Sequence, residues 1–216
     1  VPVYAGMTSY EVDAPHLYVK NTKNLYFIVI PVFAALMALT PAICEVWVGS
    51  FQPHFVIMGA WITLAWFINT VTTPAYFAYL GQGKLYWITI SHVVMGVINI
   101  IAGSLLGRFF GWQGILAAFV TSLVIGSLIP LWAYHCEHRI NLGQLFSTHD
   151  RLSSLVCFGL AIISLAGYYI VFDASLLDKW SRVIIITIFI GAMLATATWF
   201  HPLRGRLIIM KTSRNR

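Results

Sequence analysis

An all-α integral membrane protein, built as a bundle of six transmembrane helices, is the fold class this sequence predicts, and three observations predict it. Six apolar runs, Leu25–Cys44, Phe55–Leu80, Leu85–Leu106, Ile115–Tyr134, Leu152–Phe172 and Val183–Phe200, contain no Asp, Glu, Lys or Arg. Each is about 18 to 26 residues long, and about 20 helical residues cross a hydrocarbon core of about 30 Å. The composition agrees: 59% of the 216 residues are apolar and 9% charged, at a mean hydropathy of +0.82, far short of the charge a water-soluble domain of this size carries. The runs also lack the apolar-polar alternation of barrel strands, and a backbone without water must satisfy its own N–H and C=O groups as a helix.

Residues 1–23 place Tyr4, Tyr10, Leu17 and Tyr18 among Glu11, Asp13, His16, Lys20 and Lys23, which suits a cytoplasmic lead segment lying partly on the membrane. The six-helix domain then occupies residues 24–203. Its first helix carries Pro31 and Pro41, and its second carries Pro74; a proline inside a helix frees a backbone carbonyl and bends the axis, so Pro31 and Pro74 are the expected bend points. A short outer loop runs from Glu45 to Pro53, and Gly81-Gln82-Gly83-Lys84 forms a tight inner turn. The third helix ends in a glycine-rich outer connection, Gly107 to Gly114. His135 to Arg151 is the longest and most polar inner loop, Asp173 to Arg182 is the last outer loop, and residues 204–216 form a basic tail.

The basic residues set the orientation. With a cytoplasmic N-terminal segment, the inner side holds Lys20, Lys23, Lys84, Arg139, Arg151, Arg204, Arg206, Lys211, Arg214 and Arg216, and the outer side only Arg108, Lys179 and Arg182. That asymmetry predicts a multi-pass protein with both ends in the cytoplasm. The net charge of +6 therefore reads as topology and anionic-lipid contact, with no nucleic-acid partner. Cys44, Cys136 and Cys157 fall at different depths, too far apart to pair. No secretory signal precedes the first helix, and an opening on Val1 within a cytoplasmic segment is expected of a fragment or an alternative start.

Catalysis would need convergent carboxylates, a nucleophile with its base, or metal ligands at a workable spacing, and the membrane runs offer none. The expectation is a protein that is not an enzyme and holds no metal or cofactor. His135-Cys136-Glu137-His138 comes nearest to a metal cluster, but lacks a second ligand pair and reads as interfacial residues closing the fourth helix. His149-Asp150 reads as an N-cap before the fifth. The intramembrane polar residues say more. Asn69, Thr72, Thr73 and Tyr76 share a face of the second helix; Thr89, His92, Gly96, Asn99 and Gly103 form a polar-and-small stripe on the third; Thr187, Gly191, Ala195 and Thr198 repeat it weakly on the sixth. Such stripes either pack helices closely, as the Gly103/Gly107 spacing allows, or line a water-accessible cavity, since Asn and His facing lipid are costly. His92 is the only histidine inside any run.

Trp47-Val48-Gly49, Asn69 followed by Pro74, Gly81-Gln82-Gly83-Lys84, Asn99, and Gly111-Trp112-Gln113-Gly114-Ile115 followed by Ala117-Ala118 occur in a telling order. Over about residues 10 to 140 the chain resembles the C-terminal half of polysaccharide flippases, of O-antigen or teichoic-acid type, in the multidrug/oligosaccharidyl-lipid/polysaccharide exporter superfamily. The resemblance implies one half of a twelve-helix exporter in the bacterial cytoplasmic membrane, moving undecaprenyl-diphosphate-linked oligosaccharide between leaflets for polysaccharide biosynthesis. It implies no covalent chemistry. The partners it implies are membrane lipid, the lipid-linked oligosaccharide, and a missing N-terminal six-helix half or a second copy, because alternating access takes two bundles. On this reading Asn69, Thr73, His92 and Asn99 line the substrate pathway and hydrogen-bond sugar hydroxyls, while cations for the diphosphate come from the other half. A non-transporting scaffold or truncated fragment, a multidrug exporter half, and an intramembrane enzyme using the His135–Arg151 loop are the alternatives.

Overall fold

A computed structural model of the chain describes residues 14–145 and 148–173, with positions 181, 184, 188 and 190–192. The described elements are α1 (Ala14–Trp47), α2 (Pro53–Gly81), α3 (Tyr86–Phe110), α4 (Trp112–His138), the single turn α5 (Leu142–Leu145) and α6 (Thr148–Asp173). Among the described residues there is no strand. Four helices, over Pro15–Trp47, Pro53–Gly81, Tyr86–Phe110 and Trp112–His138, are long and apolar enough to cross a membrane, and α6 holds a shorter apolar stretch, Ser154–Ile170. The chain is therefore an all-α, membrane-embedded protein. Most of the sixth apolar run lies outside the described residues, as do residues 1–13 and the basic tail.

The first helix begins well before the run that announced it. Residues 14–23, expected as a lead segment, continue α1 as regular helix. The reason is a ridge at strict four-residue spacing: Tyr18, Thr22, Tyr26, Ile30, Ala34, Ala38 and Ala42 are all buried. Lys20 falls off that ridge and is exposed, so a charge interrupts the apolar run without interrupting the buried face.

The chain divides into two units, one of Val1–Tyr26 and Met58–Leu145, the other of Phe27–Ile57 and Phe146–Arg216. In the first unit α3 and α4 form an antiparallel hairpin whose only break is Gly111, at φ 60° and ψ −138°, with its N–H donating to the Gly107 carbonyl at 2.9 Å. The expected glycine-rich connection is thus mostly helix. Gly107 and Gly114 serve the interface instead of the turn: a Cβ on Gly107 would stand 2.9 Å from the Ile115 side chain, and one on Gly114 would fall on the Leu106 carbonyl. Further along, Gly126 leaves room for Met95, and the Ser91 hydroxyl donates to the Gly126 carbonyl at 2.7 Å. That carbonyl is the one Pro130, lacking an N–H, cannot bond. The predicted turn after α2 is present, with Gly83 at φ 69° and Lys84 N–H donating to the Tyr79 carbonyl at 3.0 Å.

In the second unit Ala42, Cys44, Phe51, Val56 and Tyr168 form the core, with Phe51 and Tyr168 rings 5.4 Å apart. The short connection between α1 and α2 folds over Cys44: its thiol donates to the Ser50 carbonyl at 3.4 Å and accepts the Gln52 N–H at 3.3 Å. Cys44, Cys136 and Cys157 are all free thiols. Elsewhere large apolar side chains face outward, Ile100, Phe109, Trp132 and Leu155 among them, as lipid-facing positions do.

Candidate functional site: a polar cleft between three membrane helices

Within the first unit, α2, α3 and α4 enclose a cleft of about 240 Å³. Asn69, Thr72, Thr73, Tyr76 and Phe77 of α2 form one wall; Ser91, His92 and Met95 of α3 face it; Ser127 and Pro130 of α4 complete it. The three-and-four spacing along α2 puts its polar residues on one side of the helix, so the wall follows from periodicity.

The hydrogen bonds decide what the cleft offers a ligand. A hydroxyl has one proton to donate. Thr72 and Thr73 both donate theirs to the Asn69 carbonyl, at 2.8 and 2.9 Å. Ser91 donates to Gly126 and Ser127 to the Val124 carbonyl at 3.0 Å. All four hydroxyls therefore turn only lone pairs toward the cleft. Donor capacity rests with the Asn69 amide, the Tyr76 hydroxyl and the His92 ring, which meets the Tyr76 ring edge-on at 6.0 Å. The lining includes no Asp, Glu, Lys or Arg. Such a surface suits an uncharged ligand bearing many hydroxyls, each able to donate to the wall and accept from the few donors. It provides no nucleophile paired with a base.

Of the pathway residues expected from sequence, the structure brings Asn69, Thr73 and His92 together. Asn99 lies two turns beyond His92 on α3, outside the lining, with its Oδ1 3.8 Å from where a Cβ on Gly103 would stand. It is exposed beside the midpoint of that 25-residue apolar helix. Pro74 is buried in α2 directly after Thr73, and Pro31 belongs to α1 and is not part of the lining. Ser91, Met95, Ser127 and Pro130 were not expected. A signal for two of them was present, since a serine on one helix and a mid-helix proline on the next are a donor and a freed carbonyl.

The His135–His138 sequence is distributed among other partners. His135 Nε2 shares a 2.9 Å hydrogen bond with the Tyr18 hydroxyl, His138 stacks on Tyr134 at 4.1 Å, and Glu137 accepts the Trp87 indole N–H at 2.9 Å. Among the described residues no three His, Cys, Asp or Glu side chains converge as metal ligands. His149 and Asp150 fall in the first turn of α6. Comparison of the chain with known protein families, with characterised proteins and with solved structures gives no match.

Proposed function

We propose that this chain is one six-helix half of a membrane transporter that moves lipid-linked oligosaccharide, of the undecaprenyl-diphosphate type, across the bacterial cytoplasmic membrane. The observation that carries this reading is the uncharged, acceptor-rich cleft around Asn69, Thr73 and His92 in helices of membrane-spanning length. Sugar hydroxyls match such a wall, while the prenyl tail would stay in lipid. A diphosphate finds no cation in the lining, so its counter-charge belongs to a second half or a second copy. Asn99, exposed at the middle of α3, supports the same inference, because an amide facing hydrocarbon is costly and asks for a polar neighbour.

A second reading, a scaffold without transport, draws on one specific observation: every serine and threonine hydroxyl in the lining donates within the protein, as helix-packing groups do. Proteoliposomes containing the full chain and a fluorescent prenyl-diphosphate oligosaccharide separate the two. The expected result is transfer to the opposite leaflet, read by an impermeant quencher, that falls about tenfold or more in Asn69→Ala/His92→Ala, as loss of two hydrogen-bonding side chains requires. Transfer no faster than in protein-free vesicles overturns the proposal.

A further inference from the structure

The end of the first unit that carries Lys20, Lys84 and Arg139 holds a cluster of its own. Tyr18 of α1, Tyr79 of α2 and Tyr134 of α4 are each wholly buried there. The Tyr18 and Tyr134 rings lie 4.5 Å apart, and Tyr79 meets Tyr134 edge-on at 5.4 Å. The Tyr18 hydroxyl shares a hydrogen bond with His135 Nε2, joining α1 to α4 across 117 residues of sequence at 2.9 Å. His138 backs the stack, with its Nδ1 3.0 Å from the Tyr134 carbonyl oxygen.

These rings follow the cleft's lining residues along α2 and α4. Tyr79 comes three residues after Tyr76, and Tyr134 four after Pro130, both cleft-lining positions, so the rings lie only about 5 to 6 Å further along their helices. Three helices thus each contribute one large aromatic side chain at the same level. The contacts holding α1 here differ in kind from those of the α3–α4 hairpin. The hairpin sets glycine against backbone and side chain, whereas α1 meets α4 here through aromatic rings and the Tyr18 hydroxyl.

We propose that the Tyr18–Tyr134–Tyr79 stack is a gate closing the cleft at this end, and that the Tyr18–His135 hydrogen bond is its latch. The proposal rests on reading the cleft as a substrate pathway, and the charge rule makes this end the cytoplasmic one. Withdrawal of the N-terminal part of α1 carries Tyr18 off His135 and opens the cleft toward Lys84.

The test is one-sided thiol labelling of the full chain in sealed vesicles. Thr73→Cys supplies a reporter in the cleft, Cys136→Ser removes the exposed native thiol, and the same chain without the reporter gives the background. A membrane-impermeant maleimide is added to one face at a time. Tyr18→Phe and His135→Ala are expected to speed labelling from the Lys84 face by about three- to eighteen-fold, the range one interhelical hydrogen bond in a membrane supplies, without speeding it from the other face. His135→Gln, which keeps both an acceptor and a donor for the Tyr18 hydroxyl, is expected to restore the parental rate. Parental rates in both Tyr18→Phe and His135→Ala, or equal acceleration from both faces as general loosening would give, overturn the gate. A one-sided response in a chain that moves no oligosaccharide overturns the substrate reading and leaves the gate; transfer with no labelling response removes the gate alone.

Discussion

The α3–α4 hairpin and the α2 wall of the cleft each contain, or face, a proline in mid-helix, and they treat it in opposite ways. Pro130 frees the Gly126 carbonyl, and a serine from the neighbouring helix takes it at 2.7 Å. Pro74 frees the Thr70 carbonyl, yet the hydroxyls around it stay within α2: Thr72 and Thr73 donate to Asn69, and Thr70 to the Trp66 carbonyl at 2.8 Å. In the hairpin Ser91 fastens one helix to the other. The threonines around Pro74 in α2 donate within their own helix instead.

This contrast orders the consequences of substitution. Gly114→Ala is expected to do most damage, because its Cβ falls on the Leu106 carbonyl and backbone cannot yield as a side chain can; about 3 kcal/mol or more should be lost in detergent unfolding titrations. Gly126→Ala runs first into the flexible Met95 side chain and should cost about 1 to 2 kcal/mol, with most of it recovered in Gly126→Ala/Met95→Ala. No recovery would mean that backbone, and not Met95, sets the helix spacing there. Ser91→Ala leaves the Gly126 carbonyl without its donor and should cost about 0.6 to 1.7 kcal/mol in the same titration. Thr73→Val should cost under about 0.5 kcal/mol, since Thr72 still donates to Asn69. Should Thr73→Val prove costlier than Ser91→Ala, the distinction between a hydroxyl that fastens two helices and one that donates within its own fails.

The long helices among the described residues, and their order, were legible because charge exclusion over about 20 residues has few other causes. Their ends were not, because a run that stops at any charge ignores which way the charge points. Lys20 and Lys23 hid the first turns of α1, although Tyr18, Thr22 and Tyr26 continue the same buried ridge. Glycine misled in the same manner between α3 and α4. Read along the chain, Gly107, Gly111 and Gly114 look like a loop, but only Gly111 has a positive φ, and the other two are spacing residues whose role appears once the helices face each other. Of the cleft, periodicity on α2 revealed one wall. The stripe on α3 through Thr89, His92, Gly96 and Asn99 is exposed, and only His92 of these lines the cleft, while Ser91, one position off the stripe, is buried together with Ile88. Two faces of one helix cannot be ranked for partners without knowing where the next helix lies.

The length of α1 carries a last consequence. Its 34 residues extend about 51 Å, well beyond a hydrocarbon layer of about 30 Å, so the rod must lean or protrude. A surplus of that size works as a depth gauge. Lys20 and Lys23, near its start, can follow the headgroups outward as bilayers thicken and inward as they thin, giving the lipid environment mechanical purchase on this end of the molecule.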